Sequence, residues 1–225
     1  MKQGAVAILT LAIGVVIYGF AFGLLAAQIG FPWWSVGLMS MAVHAGSSQI
    51  VAVEQFSTSS AVLGAALAGA ALNLRYIGII ASLSELLSSL PLKTKLLAIH
   101  VTGDENWALT MSERAKSKDI GASFLIGSGL TLISVWTAST AGGALVGTAL
   151  PNLEQFGLGF AFTAAFIAMA RGLWKGYPNF IPWSFAFGVT TVVIWLGLPN
   201  AYAIVAGAVC GLATSKLLRH RNGQK

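Results

Sequence analysis

Arg75 stands in Leu72-Asn73-Leu74-Arg75-Tyr76, near the middle of an apolar stretch with no other charge between Glu54 and Glu85. At mid-depth in a bilayer a charge costs about 2.5–3.5 kcal/mol on insertion scales, so it must face a partner or an aqueous cavity. A guanidinium offers a fork of donors that fits a carboxylate in bidentate geometry, which makes Arg75 a candidate anchor for an acidic group. The plain alternative is a structural ion pair with Glu85 or Glu54. A second polar set lies upstream, in Ser40, His44, Ser47, Ser48, Gln49 and Glu54. On a regular helix Ser40, His44, Ser47 and Glu54 fall within an arc of roughly 80°, with Gln49 on the opposite face. A polar stripe in lipid must turn toward protein or water, and the small run Ala45-Gly46-Ser47-Ser48 permits close packing or local unwinding. Gln49 joins the same site only if the backbone breaks there. Asn73 and Arg75, about 200° apart on an unbroken helix, need a similar distortion to line one cavity. His44 and Glu54 are candidates for proton coupling, because a histidine can take up and release a proton near neutral pH.

Other chemistry is excluded or poorly supplied. His44, His100 and His220 show no paired ligand spacing, Cys210 is alone, and no G-x-x-x-x-G-K-[ST] loop exists, so no metal, cofactor or bound nucleotide is expected. Ser47 near His44 is the one hint of a nucleophile, and without a clear acidic orienter it does not make an enzyme.

The elements that must hold these residues are membrane helices. Of 225 residues 56% are hydrophobic and 9% charged, and the mean hydropathy is +0.78. No soluble core can bury that balance. The net charge of +6 does not point to nucleic acid, since the basic residues flank apolar segments. The chain reads as one all-α transmembrane domain over 1–217, followed by a basic cytoplasmic tail, 218–225. A crossing needs about 20 apolar residues. Seven segments are candidates: 5–29, 36–53, 60–83, 121–147, 156–170, 180–197 and 200–217. Eleven Lys and Arg residues follow the third, fifth and seventh segments, and Lys2 alone lies on the other side. The positive-inside rule then places the C-terminus in the cytoplasm and the N-terminus outside. An even number of crossings would require 36–53 or 200–217 to be re-entrant.

Gly23-x-Leu25 with Gly37-Leu38 and Ala45 reappears 120 residues later as Gly143-x-Leu145 with Gly157-Leu158 and Ala165. With three helices in each unit, 1–85 and 121–197 would be inverted repeats, a transporter architecture. Their connection, the cytoplasmic segment 86–119, holds two short apolar pieces, Leu96–Val101 and Trp107–Met111, around Gly103-Asp104-Glu105-Asn106. It reads equally as a re-entrant helix pair or as a solvated loop.

Taken together, Gly19-x-x-Phe22-Gly23-x-Leu25-Ala26, Met39-Ser40, Ala45-Gly46-Ser47-Ser48-Gln49, Leu72-Asn73-Leu74-Arg75, Asp104-Glu105 and Gly157-Leu158-x-Phe160-Ala161-Phe162-x-Ala164-x-Phe166 resemble the AzlC family. These are large subunits of bacterial and archaeal branched-chain amino acid exporters. The resemblance implies export of valine, leucine and isoleucine across the cytoplasmic membrane by a secondary, proton-linked mechanism, together with a small membrane partner of the AzlD type. The residues that would serve it are Arg75, Asn73, Ser47, Ser48 and Gln49 for the substrate, and His44, Glu54, Asp104 and Glu105 for coupling. The sequence departs from the family's pattern at His44, where an aromatic residue is usual, and at Gly103, where Thr is usual. A channel or an accessory subunit without ion coupling is the alternative reading.

Overall fold

The computed structural model describes residues 1–117, 119–149, 167, 174, 176–198 and 200–222. A short α1 (Lys2–Ala7) runs through Ile8 into α2 (Leu9–Gln28). There follow α3 (Trp33–Val43), α4 (Gly46–Ser59), α5 (Val62–Asn73), α6 (Arg75–Ser82), α7 (Ser84–Leu87), α8 (Leu92–His100), α9 (Asp104–Lys116) and α10 (Ala122–Ala149). After a single 3-10 turn, Tyr177–Asn179, come α11 (Phe180–Trp195) and α12 (Asn200–Asn222). Among the described residues there is no strand.

Among the described residues three helices are long and apolar enough to cross a membrane: Leu9–Gln28, Val62–Ser82 and Ala122–Ala149. They fall on the expected segments 5–29, 60–83 and 121–147. Apart from Ile167, segment 156–170 lies outside the described residues. The C-terminal pair α11 and α12 is antiparallel, with Gly207 set against Ala186 and Thr190, and Thr190 Oγ1 donating to the Ala203 carbonyl at 3.3 Å. The last helix continues to Asn222, so no break separates it from the expected tail at 218.

The core is the seam between α2 and α10, where backbone meets backbone. Gly23 faces the Thr140 carbonyl, and Gly143 faces that of Phe20 in return, closer than any side chain would allow. Contacts advance in the same sense along both helices. Ile8 and Ala12 pack on Leu132, Gly19 lies against Trp136 and Ser139, and Ala27 lies against Gly147. The first helices of the two supposed halves therefore run parallel. An inverted relation between 1–85 and 121–197 is corrected on this point.

The reason is the intervening segment 36–53, which does not cross. His44 adopts a left-handed backbone (φ 37°, ψ 47°) and Ala45 an irregular one (φ −147°, ψ 86°), so α3 and α4 fold back on each other. Histidine is among the non-glycine residues that tolerate positive φ. Residues placed symmetrically about the break meet: Gln49 Nε2 donates to Ser40 Oγ at 3.0 Å, and Val36, Ile50 and Val53 share one cluster. The Phe56 ring packs edge-on against Phe31, 5.5 Å between centroids, so α4 ends beside the point where α3 began. At 1.5 Å per residue the 11 residues of α3 reach about 16 Å, half the hydrocarbon thickness. This is a re-entrant hairpin.

The segment 86–119 is a second one, from the opposite end. Its tip, Val101-Thr102-Gly103, is buried beside Gly129 of α10. Asn106 is fully buried and holds the turn: its Oδ1 accepts from the Gly103 N–H at 2.6 Å, and its Nδ2 donates to the carbonyls of Val101 (3.3 Å) and Leu125 (3.2 Å). Farther back Trp107 Nε1 donates to Ser82 Oγ at 2.9 Å, and Arg114 pairs with Glu85 at 3.1 Å and reaches the Ile120 carbonyl at 3.2 Å. Each of the first two spans is thus followed by a hairpin that returns to the end it left. The two hairpin tips meet half-way along α10.

Met1 packs on Gly127, at the end of α10 where Arg114 and Ile120 lie. Lys2 therefore shares an end with the basic segment, and the expectation that the N-terminus lies opposite that segment is corrected.

Candidate functional site

Five elements converge where the tips meet. A cavity there is lined by Val15 and Tyr18 of α2, His44 to Ser47 at the first break, Arg75 and Tyr76 of α6, Asp104 and Glu105 of α9, and Leu132 and Trp136 of α10. Its volume is about 40 Å³. That is room for a few waters, and the cavity is partly open: the side chains of Arg75 and Asp104 on its wall are 36% and 41% exposed.

Arg75 is at the centre. Its Nη2 donates to Ser47 Oγ at 2.9 Å and stands 3.0 Å from Asp104 Oδ2. Its guanidinium carbon lies 5.4 Å from the centre of the Tyr76 ring. Neither acid expected as an ion-pair partner reaches it: Glu85 is taken by Arg114, and Glu54 lies exposed along α4, outside the cavity lining. Between α5 and α6 Leu74 keeps helical dihedrals (φ −55°, ψ −26°), with a tightened turn in which its N–H bonds the Ala71 carbonyl. Arg75 turns to Ser47 while Asn73 Oδ1 accepts from Ser48 Oγ at 2.5 Å. Asn73 and Ser48 are not among the residues that line the cavity, so Asn73 and Arg75 do not share it.

The backbone break at His44 supplies a second feature. The N–H groups in the first turn of α4, Gly46 to Ser48, have no partner within the helix, and that turn opens on the cavity with no side-chain cap. Such a helix start favours an anion. His44 is 8% exposed, and its Nδ1 is buried without a hydrogen-bond partner. A side chain at Gly103 would meet the His44 ring at 3.4 Å, so the tips are in van der Waals reach.

Sequence reasoning put Ser40, His44, Ser47 and Glu54 on one face and Gln49 on another; the hairpin rearranges them. Ser47 and His44 line the cavity, with Asp104 and Glu105 opposite. Ser40 and Gln49 lie behind it in a network with α10: Trp136 Nε1 donates to Gln49 Oε1 at 2.8 Å and Thr140 Oγ1 to Ser40 Oγ at 2.8 Å. Both ends of the Gln49 amide are engaged within the protein. Tyr18, Tyr76, Trp136 and Thr140 carry no motif that marks them. Trp136, far from either end of a long apolar helix, is the one with a signal, since tryptophan favours the membrane interface. Among the described residues no group of His, Cys, Asp and Glu could hold a metal.

The AzlC protein family matches residues 10–150, a stretch that contains every residue lining this cavity. The chain belongs to the AzlC family. Among its AzlC-like relatives, the inner membrane protein YgaZ of Escherichia coli (strain K12) is 28% identical over 213 residues, covering 92% of this chain and 86% of the relative. An uncharacterized membrane protein of Archaeoglobus fulgidus is 26% identical, with 93% and 91% covered. One from Helicobacter pylori (strain J99) is 25% identical, with 76% and 74% covered. No solved structure matches. This AzlC protein is an all-helical membrane protein whose polar centre, between two re-entrant hairpins, suits a role in transport across the membrane.

Proposed function

We propose that this protein exports branched-chain amino acids across the cytoplasmic membrane as a secondary transporter, acting as the large subunit beside a small AzlD-type membrane partner. The observation that carries the reading is the environment of Arg75. A cation sits midway across the protein, at the junction of two half-crossing hairpins and beside the open start of α4. A zwitterionic aliphatic substrate needs a cation for its carboxylate, an acceptor for its ammonium and apolar walls for its side chain. Arg75 with the first turn of α4 serves the first need, Asp104 and Glu105 serve the second, and Val15, Leu132 and Trp136 serve the third. Broken helices around a central site support alternating access. Proton linkage falls to His44, Asp104 and Glu105, and Glu54 is too remote to share the site.

The test is efflux of radiolabelled valine and leucine from proteoliposomes holding this chain, with and without a co-expressed small partner. Arg75→Ala should abolish efflux and Arg75→Lys, which keeps the charge and loses the fork, should weaken it, each at unchanged membrane abundance. Normal export by Arg75→Ala would overturn the anchor role, and equal efflux without the partner would overturn the two-component reading.

A further inference from the structure

The cavity is small, and a carboxylate already occupies its cation. Asp104 Oδ2 lies 3.0 Å from Arg75 Nη2, and the same nitrogen donates to Ser47 Oγ at 2.9 Å. Asp104 belongs to the tip of the α8–α9 hairpin, Ser47 to the first turn of the α3–α4 hairpin, and Arg75 to the span between them. One guanidinium nitrogen therefore ties both tips together, and of its two acceptors only Asp104 is an anion. On the other side of the junction Gly103 lies against His44, whose Nδ1 has no partner. A carboxylate that is to pair with Arg75 between the tips has to displace Asp104, and displacing it unties one tip from the other.

Breaking that pair outright would leave a half-buried cation and a half-buried anion without partners, a heavy cost away from water. Replacing Asp104 by another carboxylate leaves the charge on Arg75 balanced and frees Asp104 to meet an ammonium. A neutral amide or alcohol cannot make that exchange.

We propose that Asp104 is a resident stand-in for the carboxylate of the transported molecule: an incoming carboxylate takes its place on Arg75, and the exchange releases the α8–α9 tip from the α3–α4 tip. The inference rests on the transport reading above and adds to it the residue that must yield and the ligand class able to displace it, a free carboxylate beside an ammonium. Asp104 is then both latch and selectivity filter. Its removal opens the junction without substrate.

The experiment reads tip opening directly, in the full chain reconstituted in proteoliposomes. With the native thiol removed by Cys210→Ala, Thr102→Cys places a near-isosteric thiol in the buried tip, and its rate of labelling by a water-soluble maleimide is measured. Adding Asp104→Asn should raise the rate about tenfold, the factor expected when one charge-assisted contact is lost. Asp104→Glu, which keeps the carboxylate, should leave the rate near that of the parent and shows that the asparagine effect is not misfolding. Saturating L-valine should raise the rate in the parent and do nothing further in Asp104→Asn, while valinamide should have no effect on either. A labelling rate in Asp104→Asn equal to the parent's, or opening by valinamide as effective as that by valine, overturns the exchange. If Asp104→Asn opens the tip while neither valine nor leucine affects the parent, the latch stands and the aliphatic amino acid substrate is wrong.

Discussion

Gln49 separates two roles that the sequence left together, a ligand for substrate and a brace for the fold, and its replacement by leucine distinguishes them. The side chain is 1% exposed; it donates to Ser40 Oγ at 3.0 Å and accepts from Trp136 Nε1 at 2.8 Å. Gln49→Leu keeps the approximate volume and removes both bonds. The Gln49–Ser40 bond is worth about 0.6 kcal/mol by the average for membrane hydrogen bonds. The larger effect is the indole N–H left buried without an acceptor, about 1–3 kcal/mol. Together the loss is about 2–4 kcal/mol, a sizeable part of a total stability on the order of 5–15 kcal/mol. Thermal unfolding in detergent should show it, and a cycle with Trp136→Phe should show coupling, because that second change removes the orphaned donor. The expected coupling energy is about 1–3 kcal/mol, with the double variant less destabilised than the sum of the two single ones. If Gln49→Leu melts like the parent and yet fails to bind or move valine, Gln49 is a ligand and the bracing role is refuted.

With Lys2 at the basic end, every Lys and Arg other than Arg75 can lie on one membrane face only if both termini do. Cysteines introduced at Lys2 and after Lys216 should both be labelled only after permeabilisation, and labelling of either from outside intact cells overturns this. His44 lines the cavity with an unpartnered nitrogen, together with Arg75, Tyr76, Asp104 and Glu105, whereas Glu54 lies exposed and outside it. Efflux measured across pH should therefore lose much of its pH dependence in His44→Phe and keep it in Glu54→Gln; the reverse result removes His44 from proton handling.

The sequence by itself determined the solvent, the helical class and the three long spans, because those follow from local composition and length. It also marked Arg75, since a lone charge in an apolar run has to be explained wherever the chain goes. The resemblance carried by Ala45-Gly46-Ser47-Ser48-Gln49 and Leu72-Asn73-Leu74-Arg75 named the family before any contact was known. What the tertiary structure decided is where the chain turns back. A run such as 36–53 has the same hydropathy whether it crosses or folds at His44, and one left-handed residue changes the direction of everything after it. That turn made α2 and α10 parallel, moved Lys2 to the basic end and drew Gln49 away from the cavity toward Trp136. The partner of Arg75 was likewise out of reach of periodicity. Glu54 and Glu85 are nearest in the chain, but Asp104 arrives on a separate hairpin whose burial depends on Asn106 finding carbonyls on two elements. Contacts between residues far apart in sequence leave no trace in the spacing of either, so only the packing of the two hairpins could reveal the site they share.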